Sequence, residues 1–158
     1  VTFEAEGQFE VLGDTQQLEQ LVRNLVDNAL KYGRPDSPVV LRLTESALGE
    51  AKLEVVDQGE GIEPEHLPHL TRRFYRTDPG RSRMSGGTGL GLAIVKHIVE
   101  RHHGRLDIES EVGQGTTVTV RIPQYHAPGA TEDTQAAEET SSDRVTQVPQ
   151  SGEAPPAT

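Results

Sequence analysis

Cysteine is absent from the 158 residues. That excludes a disulfide framework, a thiolate metal site and a cysteine nucleophile, and it fits a reducing compartment. Long hydrophobic runs are absent as well. No stretch approaches the roughly 20 apolar residues of a spanning helix and no secretory signal opens the chain, so the polypeptide is expected to be soluble. It opens at Val1 and not at a methionine, and is expected to be excised from something longer. Basic residues are in deficit, with 15 Lys and Arg against 25 Asp and Glu and a net charge of −10. A general nucleic-acid binder neutralises phosphates with Lys and Arg, so no nucleic-acid partner is expected.

What is present fits one domain of ordinary size and hardly two. Order and charge are unevenly spread. Residues 124–158 carry six acids and one base, and Val145 and Val148 are their only branched aliphatics among many Ala, Ser, Thr, Gln and Pro. Such a segment cannot bury enough surface to offset chain entropy and is expected to be a disordered acidic tail. Residues 1–123 hold nearly all of the core-forming side chains and should hold the chemistry.

Hydrophobic periodicity predicts the elements. Residues 1–12 alternate loosely around Phe3, Phe9 and Val11, with Gly7 as a turn, and predict a short hairpin. Asp14 and Gln17 have capping-box spacing, and Leu18, Leu21, Val22, Leu25 and Ala29 then recur at helical period until Gly33 and Pro35. Residues 39–43 and 53–56 predict an antiparallel strand pair around a Gly49 turn. The glycine- and arginine-rich stretch 58–89 has room for one short helix near residues 65–74. A second strong helix spans residues 90–103, and strands at 106–108 and 118–122 flank a Gly113/Gly115 turn. This order predicts a helix layer on one face of a mixed, mostly antiparallel sheet.

Four clusters carry candidate chemistry. Asn24, Asn28 and Lys31 form a polar row beside the apolar face of the first helix. Alone, such a row fits a solvated face better than a site, yet an amide oxygen is a suitable ligand for a hard cation already bound to phosphates. Asp57-Gln58-Gly59-Glu60-Gly61-Ile62 ends a strand. It is either a plain Asp-Gly turn or a carboxylate placed to accept from the amine of a flat ligand. Gly86-Gly87-Thr88-Gly89-Leu90-Gly91-Leu92 opens the second helix, where free amides and the helix dipole suit phosphate. It is neither a P-loop, lacking Gly-Lys-Ser/Thr, nor a dinucleotide fingerprint, which needs a small residue at 92 and a strand before it. Between them Arg72, Arg73, Arg76, Arg81 and Arg83 form a basic segment in an acidic chain. It is either solvated surface charge or a mobile lid, residues 72–87, whose guanidinium groups meet phosphates.

Taken in order, Asn24-x-x-x-Asn28-Ala29-x-Lys31-Tyr32, Asp57-x-Gly59-x-Gly61, Arg73-Phe74-Tyr75-Arg76, Gly87-Thr88-Gly89-Leu90-Gly91-Leu92 and Gly113-x-Gly115-Thr116 resemble the N, G1, F, G2 and G3 boxes of sensor histidine kinases. The lid wording is most similar to that of the phosphate-regulon sensor kinases. Val118 departs from the family, which often has Phe there. The resemblance implies a two-layer α/β sandwich of Bergerat type, with ATP and magnesium as ligands. Under it Asn28 holds the metal with Asn24 close by, Lys31 reaches the phosphates, and Arg76 or Arg81 closes over them; Asn24, Lys31 and Arg76 serve catalysis. Asp57 accepts from the adenine amine, Thr116 sits near the same ring through water, and Tyr32 and Ile62 line the purine pocket. Gly59 and Gly61 let backbone approach the base, while Gly87, Thr88, Gly89, Leu90 and Gly91 wrap the phosphate chain. The implied partners are the dimerisation and histidine-phosphotransfer domain of the same kinase and the receiver domain of a response regulator. The implied location is the cytoplasmic portion of a membrane-anchored sensor.

The acceptor histidine is missing. None of His66, His69, His97, His102, His103 and His126 is followed by the Glu-aliphatic-basic-x-Pro pattern that marks it. His66 and His69 flank Pro68, and His102 and His103 end a helix, where a cation offsets the dipole. The chain thus resembles the ATP-binding catalytic domain alone. Three other classes fit the sequence less well. In gyrase-type or chaperone-type ATPases a Glu four residues before the metal-binding Asn activates water, but here that position is Asn24, whose amide takes no proton near neutral pH. A non-catalytic binding module is disfavoured by intact motifs, and an anti-sigma serine kinase by the Phe74 segment.

Overall fold

The computed structural model describes residues 1–77 and 88–126. The expected tail, from residue 127 on, and the centre of the expected lid, residues 78–87, lie outside the described residues. Residues Val1–Tyr125 form one compact unit. Its elements are β1 (Thr2–Ala5), α1 (Thr15–Tyr32), β2 (Val40–Glu45), β3 (Glu50–Asp57), a 3-10 turn at Leu67–His69, then a second helix, here α2 (Gly91–Arg101), β4 (Arg105–Glu111) and β5 (Gly115–Pro123).

The strands make one five-stranded sheet in the order β1-β2-β3-β5-β4. All neighbours are antiparallel except β1 and β2. The sheet is therefore mixed and mostly antiparallel, as expected. The hairpin expected within residues 1–12 does not form. Only Thr2–Ala5 is a strand, and it pairs in parallel with Val40–Leu43. A parallel pair needs a long crossover, which α1 supplies. The alternation that predicted a hairpin divides between one strand and a crossing segment, in which Val11 packs against the core.

On the side of the sheet facing the helices, the register builds apolar rows across the strands. Val55 pairs with both Leu41 and Val118, Val118 with Ile108, Leu53 with Leu43 and Val120, and Val120 with Leu106. Leu21, Leu25 and Ala29 of α1 and Val95, Ile98 and Val99 of α2 are buried against them. Each of the Leu, Val and Ile side chains contributes about 1.5–3 kcal/mol when fully buried. Val118, the departure from the family pattern, packs against this core partly buried. The opposite face carries crossed charges. Arg42 pairs with Glu4 at 2.9 Å, Lys52 with Glu54 at 3.3 Å, Arg105 with Glu50 at 3.9 Å, and Arg121 with Asp107.

Helix ends follow local chemistry. Asp14 caps α1 by accepting from the Gln17 amide at 3.1 Å, and Gln17 Nε2 returns a bond to Asp14 Oδ2 at 3.2 Å. The Asp14 amide donates to His102 Nε2 at 3.1 Å, while His102 Nδ1 lies 2.7 Å from the Ile98 carbonyl. An amide can only donate and a carbonyl only accept, so His102 is the neutral tautomer protonated on Nδ1. That corrects the expectation of a dipole-offsetting cation at this position. The short helix expected near residues 65–74 is reduced to the 3-10 turn. Pro68 has no N–H to donate back to the Pro64 carbonyl, and Phe74 sits in the left-handed region with φ 61°.

Candidate functional site

The helix-facing rows end in polar residues at one edge of the core. Beyond Val55, Val118 and Ile108, the next row is Asp57, Thr116 and Ser110, cross-strand neighbours on β3, β5 and β4. Asp57 is only 9% exposed, and its Oδ1 accepts from the Gly59 amide at 2.8 Å. Burial pushes its carboxyl above the ordinary value of 3.8, while the backbone amides of Gly59 and Thr116 pull it back down. A lone desolvated carboxylate gains most from a ligand donor that restores its lost hydrogen bonds.

Two close approaches fix this carboxylate. A Cβ on Gly59 would stand 2.3 Å from the Tyr32 carbonyl oxygen and 2.8 Å from Asp57 Oδ1. A Cβ on Gly115 would stand 2.1 Å from the Asp57 carbonyl oxygen, and its φ of 123° already disfavours any side chain. The Gly59–Gly61 turn and the β4–β5 turn are thus pressed together without side chains between them. Gly113 donates to the Glu60 carbonyl at 2.8 Å, and Gly61 packs on the Glu111 carbonyl. Ile62 is held by its amide, which donates to Ser110 Oγ at 2.9 Å.

The contact between Gly59 and Tyr32 carries the site to the end of α1. One turn earlier, Asn28 is half-buried, and a Cβ at Gly91 would lie 3.5 Å from both its Oδ1 and Nδ2. Gly91 opens α2, whose N-cap Leu90 makes no side-chain cap. The amides of that first turn therefore have no side-chain cap from Leu90, a setting that favours an anion, and Asn28 stands beside them. Asn24, one turn further back, keeps Nδ2 buried without a hydrogen-bond partner. Lys31 Nζ stands 5.0 Å from the centre of the Tyr32 ring, which is half-exposed.

The two roots of the expected lid meet. The Phe74 amide donates to the Gly89 carbonyl at 2.9 Å, and Gly89 has φ 67° and no room for a side chain against Phe74. Arg76 is half-buried and Thr88 exposed at these roots. Asn24, Asn28, Lys31, Tyr32, Asp57, Gly59, Gly61, Ile62, Thr116, Gly89, Leu90 and Gly91 all lie along α1, the ends of β3 and β5 and the start of α2. Arg81 and Gly87 lie outside the described residues. Three contributors escaped the sequence reading. Ser110 joins the Ile62 loop to β5, Arg34 Nη2 donates to the Gly113 carbonyl at 2.6 Å, and His66 Nδ1 lies 2.7 Å from the Tyr75 hydroxyl. Ile62 and Gly113 are distant in sequence from Ser110 and Arg34, while His66 and Tyr75 are nine residues apart, and only the Gly113–Gly115 turn pointed toward any of these contacts.

The family model for histidine kinase-, DNA gyrase B- and HSP90-like ATPases matches residues 13–126. The chain belongs to this family. Among curated proteins, the ATPase domain is similar to the phosphate regulon sensor protein PhoR of Haemophilus influenzae, at 42% identity over 114 residues. The match covers 72% of this chain and 27% of PhoR, so the chain spans little more than a quarter of that relative's length. Among solved structures, the mycobacterial sensor histidine kinase MprB aligns with a TM-score of 0.68 at 34% identity, over 80% of this chain and 83% of that one. Full-length ShkA, solved in complex with AMPPNP, aligns with a TM-score of 0.69 at 27% identity, over 80% of this chain and 26% of ShkA. Within the family the chain is the ATP-binding catalytic domain of a sensor histidine kinase, and its sheet covered on one face by helices is the expected two-layer α/β sandwich. Among the described residues no helix is long and apolar enough to cross a membrane.

Proposed function

We propose that the chain binds magnesium ATP and presents the γ-phosphate to an acceptor histidine on a separate dimerising domain of its parent kinase. Residues 1–123 act as the catalytic unit, and 124–158 are an appendage to it. The pathway continues to the receiver domain of a response regulator, and likeness to the phosphate-regulon sensor supports a phosphate-responsive parent, anchored in the membrane with this part in the cytoplasm. The observation that carries the reading is that the last turns of α1 touch two unlike ends at once. Asn28 meets the uncapped start of α2, and the Tyr32 carbonyl meets the loop of the buried Asp57.

Each end suits one part of the ligand. Asp57 accepts from the exocyclic amine of adenine, with Thr116, Ile62 and Tyr32 around the ring. The amides of Gly87, Thr88, Gly89, Leu90 and Gly91 face the phosphates, and Lys31 with Arg76 or Arg81 offsets their charge. Asn28 gives the metal one neutral oxygen and Asn24 stands beside it, which suits magnesium, since that ion keeps waters and phosphate oxygens as most of its ligands. Bound there, magnesium ATP supplies the phosphoryl group. The protein's part is positioning and charge neutralisation, which dominate phosphoryl transfer.

The experiment separates kinase from hydrolase. The purified chain is expected to bind ATP, to hydrolyse it barely above background and not to label itself, because Asn24 replaces a general base. Mixed with the dimerising domain of its parent, it is expected to give an acid-labile, base-stable phosphoprotein. Rapid turnover by the pure chain, abolished by Asn24→Ala, would favour the hydrolase class and overturn the reading.

A further inference from the structure

Ser110 belongs to none of the motif boxes, yet its hydroxyl makes three short contacts. It accepts from the Ile62 amide at 2.9 Å, lies 2.8 Å from the Gly115 carbonyl oxygen, and lies 2.9 Å from Thr116 Oγ1. A hydroxyl has one proton to give. The Gly115 carbonyl can only accept. Were Ser110 to donate to Thr116, two oxygen lone-pair regions would face each other at 2.8 Å. All three contacts are attractive in one arrangement alone, in which Ser110 donates to Gly115 and Thr116 donates to Ser110. The Thr116 hydroxyl then has no proton left for the cleft.

We infer that Ser110 is a specificity-determining positioning residue, which locks the Thr116 hydroxyl as an acceptor and so gives the base pocket a floor made only of acceptors. Thr116 is the direct cross-strand neighbour of Asp57, so the two present lone pairs side by side. Such a floor favours a purine with a donor at position 6, as in adenine, and repels one with a carbonyl there. Through the Ile62 amide the same hydroxyl also anchors the loop that follows Asp57. The inference rests on the adenine-binding reading above and names the device by which that site discriminates.

ATP and ITP test it, since the two differ only in the amine or carbonyl at position 6 and in the protonation of the neighbouring ring nitrogen. Calorimetry on the whole chain is expected to show a clear preference for ATP. Ser110→Ala frees the Thr116 proton to donate to a 6-carbonyl, and the ATP:ITP affinity ratio is expected to fall about five-fold or more. Ser110→Cys keeps the volume while weakening the three bonds, and should move the ratio the same way if the alanine variant folds poorly. In a Thr116→Val background, Ser110→Ala should leave the ratio unchanged. A merely structural role would lower both affinities together. An unchanged ratio in both Ser110 variants, with wild type still preferring ATP, overturns this inference alone. A wild-type chain that binds neither nucleotide overturns the adenine reading and this inference with it.

Discussion

At the scale of single residues, Asp57 is held at odds with stability. Burial raises its carboxyl above 3.8, so the folded state takes up a proton more readily than the unfolded chain. Its contribution to stability is therefore fully present below 3.8, is lost as pH rises through the raised folded value, and is absent above it. Melting curves against pH should show this component in wild type, and the difference between wild type and Asp57→Asn should follow that sign. The same substitution should weaken ATP binding about five- to 150-fold by calorimetry, since a buried ligand amine loses its charged acceptor at a cost of about 1–3 kcal/mol. Asp57→Asn that binds ATP like wild type would take the adenine role away from this residue. Gly115 offers a purely steric counterpart. Gly115→Ala meets the Asp57 carbonyl at 2.1 Å in a backbone region closed to alanine, and should lower the melting temperature along with nucleotide affinity.

At the scale of elements, the two helices are tied at both ends by unlike means. At the site end Asn28 lies against Gly91; at the far end His102, which follows α2, receives the amide of the cap of α1. His102→Ala leaves the Asp14 amide without this acceptor, removes the imidazole from the Ile98 carbonyl, which keeps the backbone amide of residue 102, and opens a gap under Gly13, whose Cβ position is 2.5 Å from the imidazole. A destabilisation of about 2 kcal/mol or more is expected, measurable by urea titration, with little change in ATP affinity because the site lies at the other end. The sequence made much of this legible. Both helices, the β2–β3 pair and the β4–β5 pair follow from periodicity and glycine placement, and the motif order located the site residues the structure brings together. The rest depends on long-range geometry. Residues 1–12 alternate whether they form a hairpin or one strand plus an anchor, and only the pairing of Thr2–Ala5 with β2 decides. The roles of Ser110, Arg34 and His102 rest on partners that no local pattern announces.

For the whole molecule, a ligand that binds only the folded state adds stability by mass action. Saturating magnesium ATP at about 100 times its dissociation constant should add about 2.7 kcal/mol, seen as a rise of several degrees in melting temperature. Asp57→Asn at the same concentration should show a smaller rise, from about 1.8 kcal/mol for a five-fold loss of affinity down to about 0.3 kcal/mol for a 150-fold loss. The row Asp57, Thr116 and Ser110 also sets a timetable. Its members come from β3, β5 and β4, and the decisive pairing, Asp57 with Thr116, spans the expected lid segment, α2 and β4. Contacts so distant along the chain form late, after the local hairpins and helices. A nascent polypeptide still waiting for β5 therefore has no floor to its base pocket and cannot hold ATP, whatever helices it has already made. Nucleotide occupancy thus reports that β5 has been made, and a ribosome-bound chain should become an ATP binder only once β5 has cleared the exit tunnel.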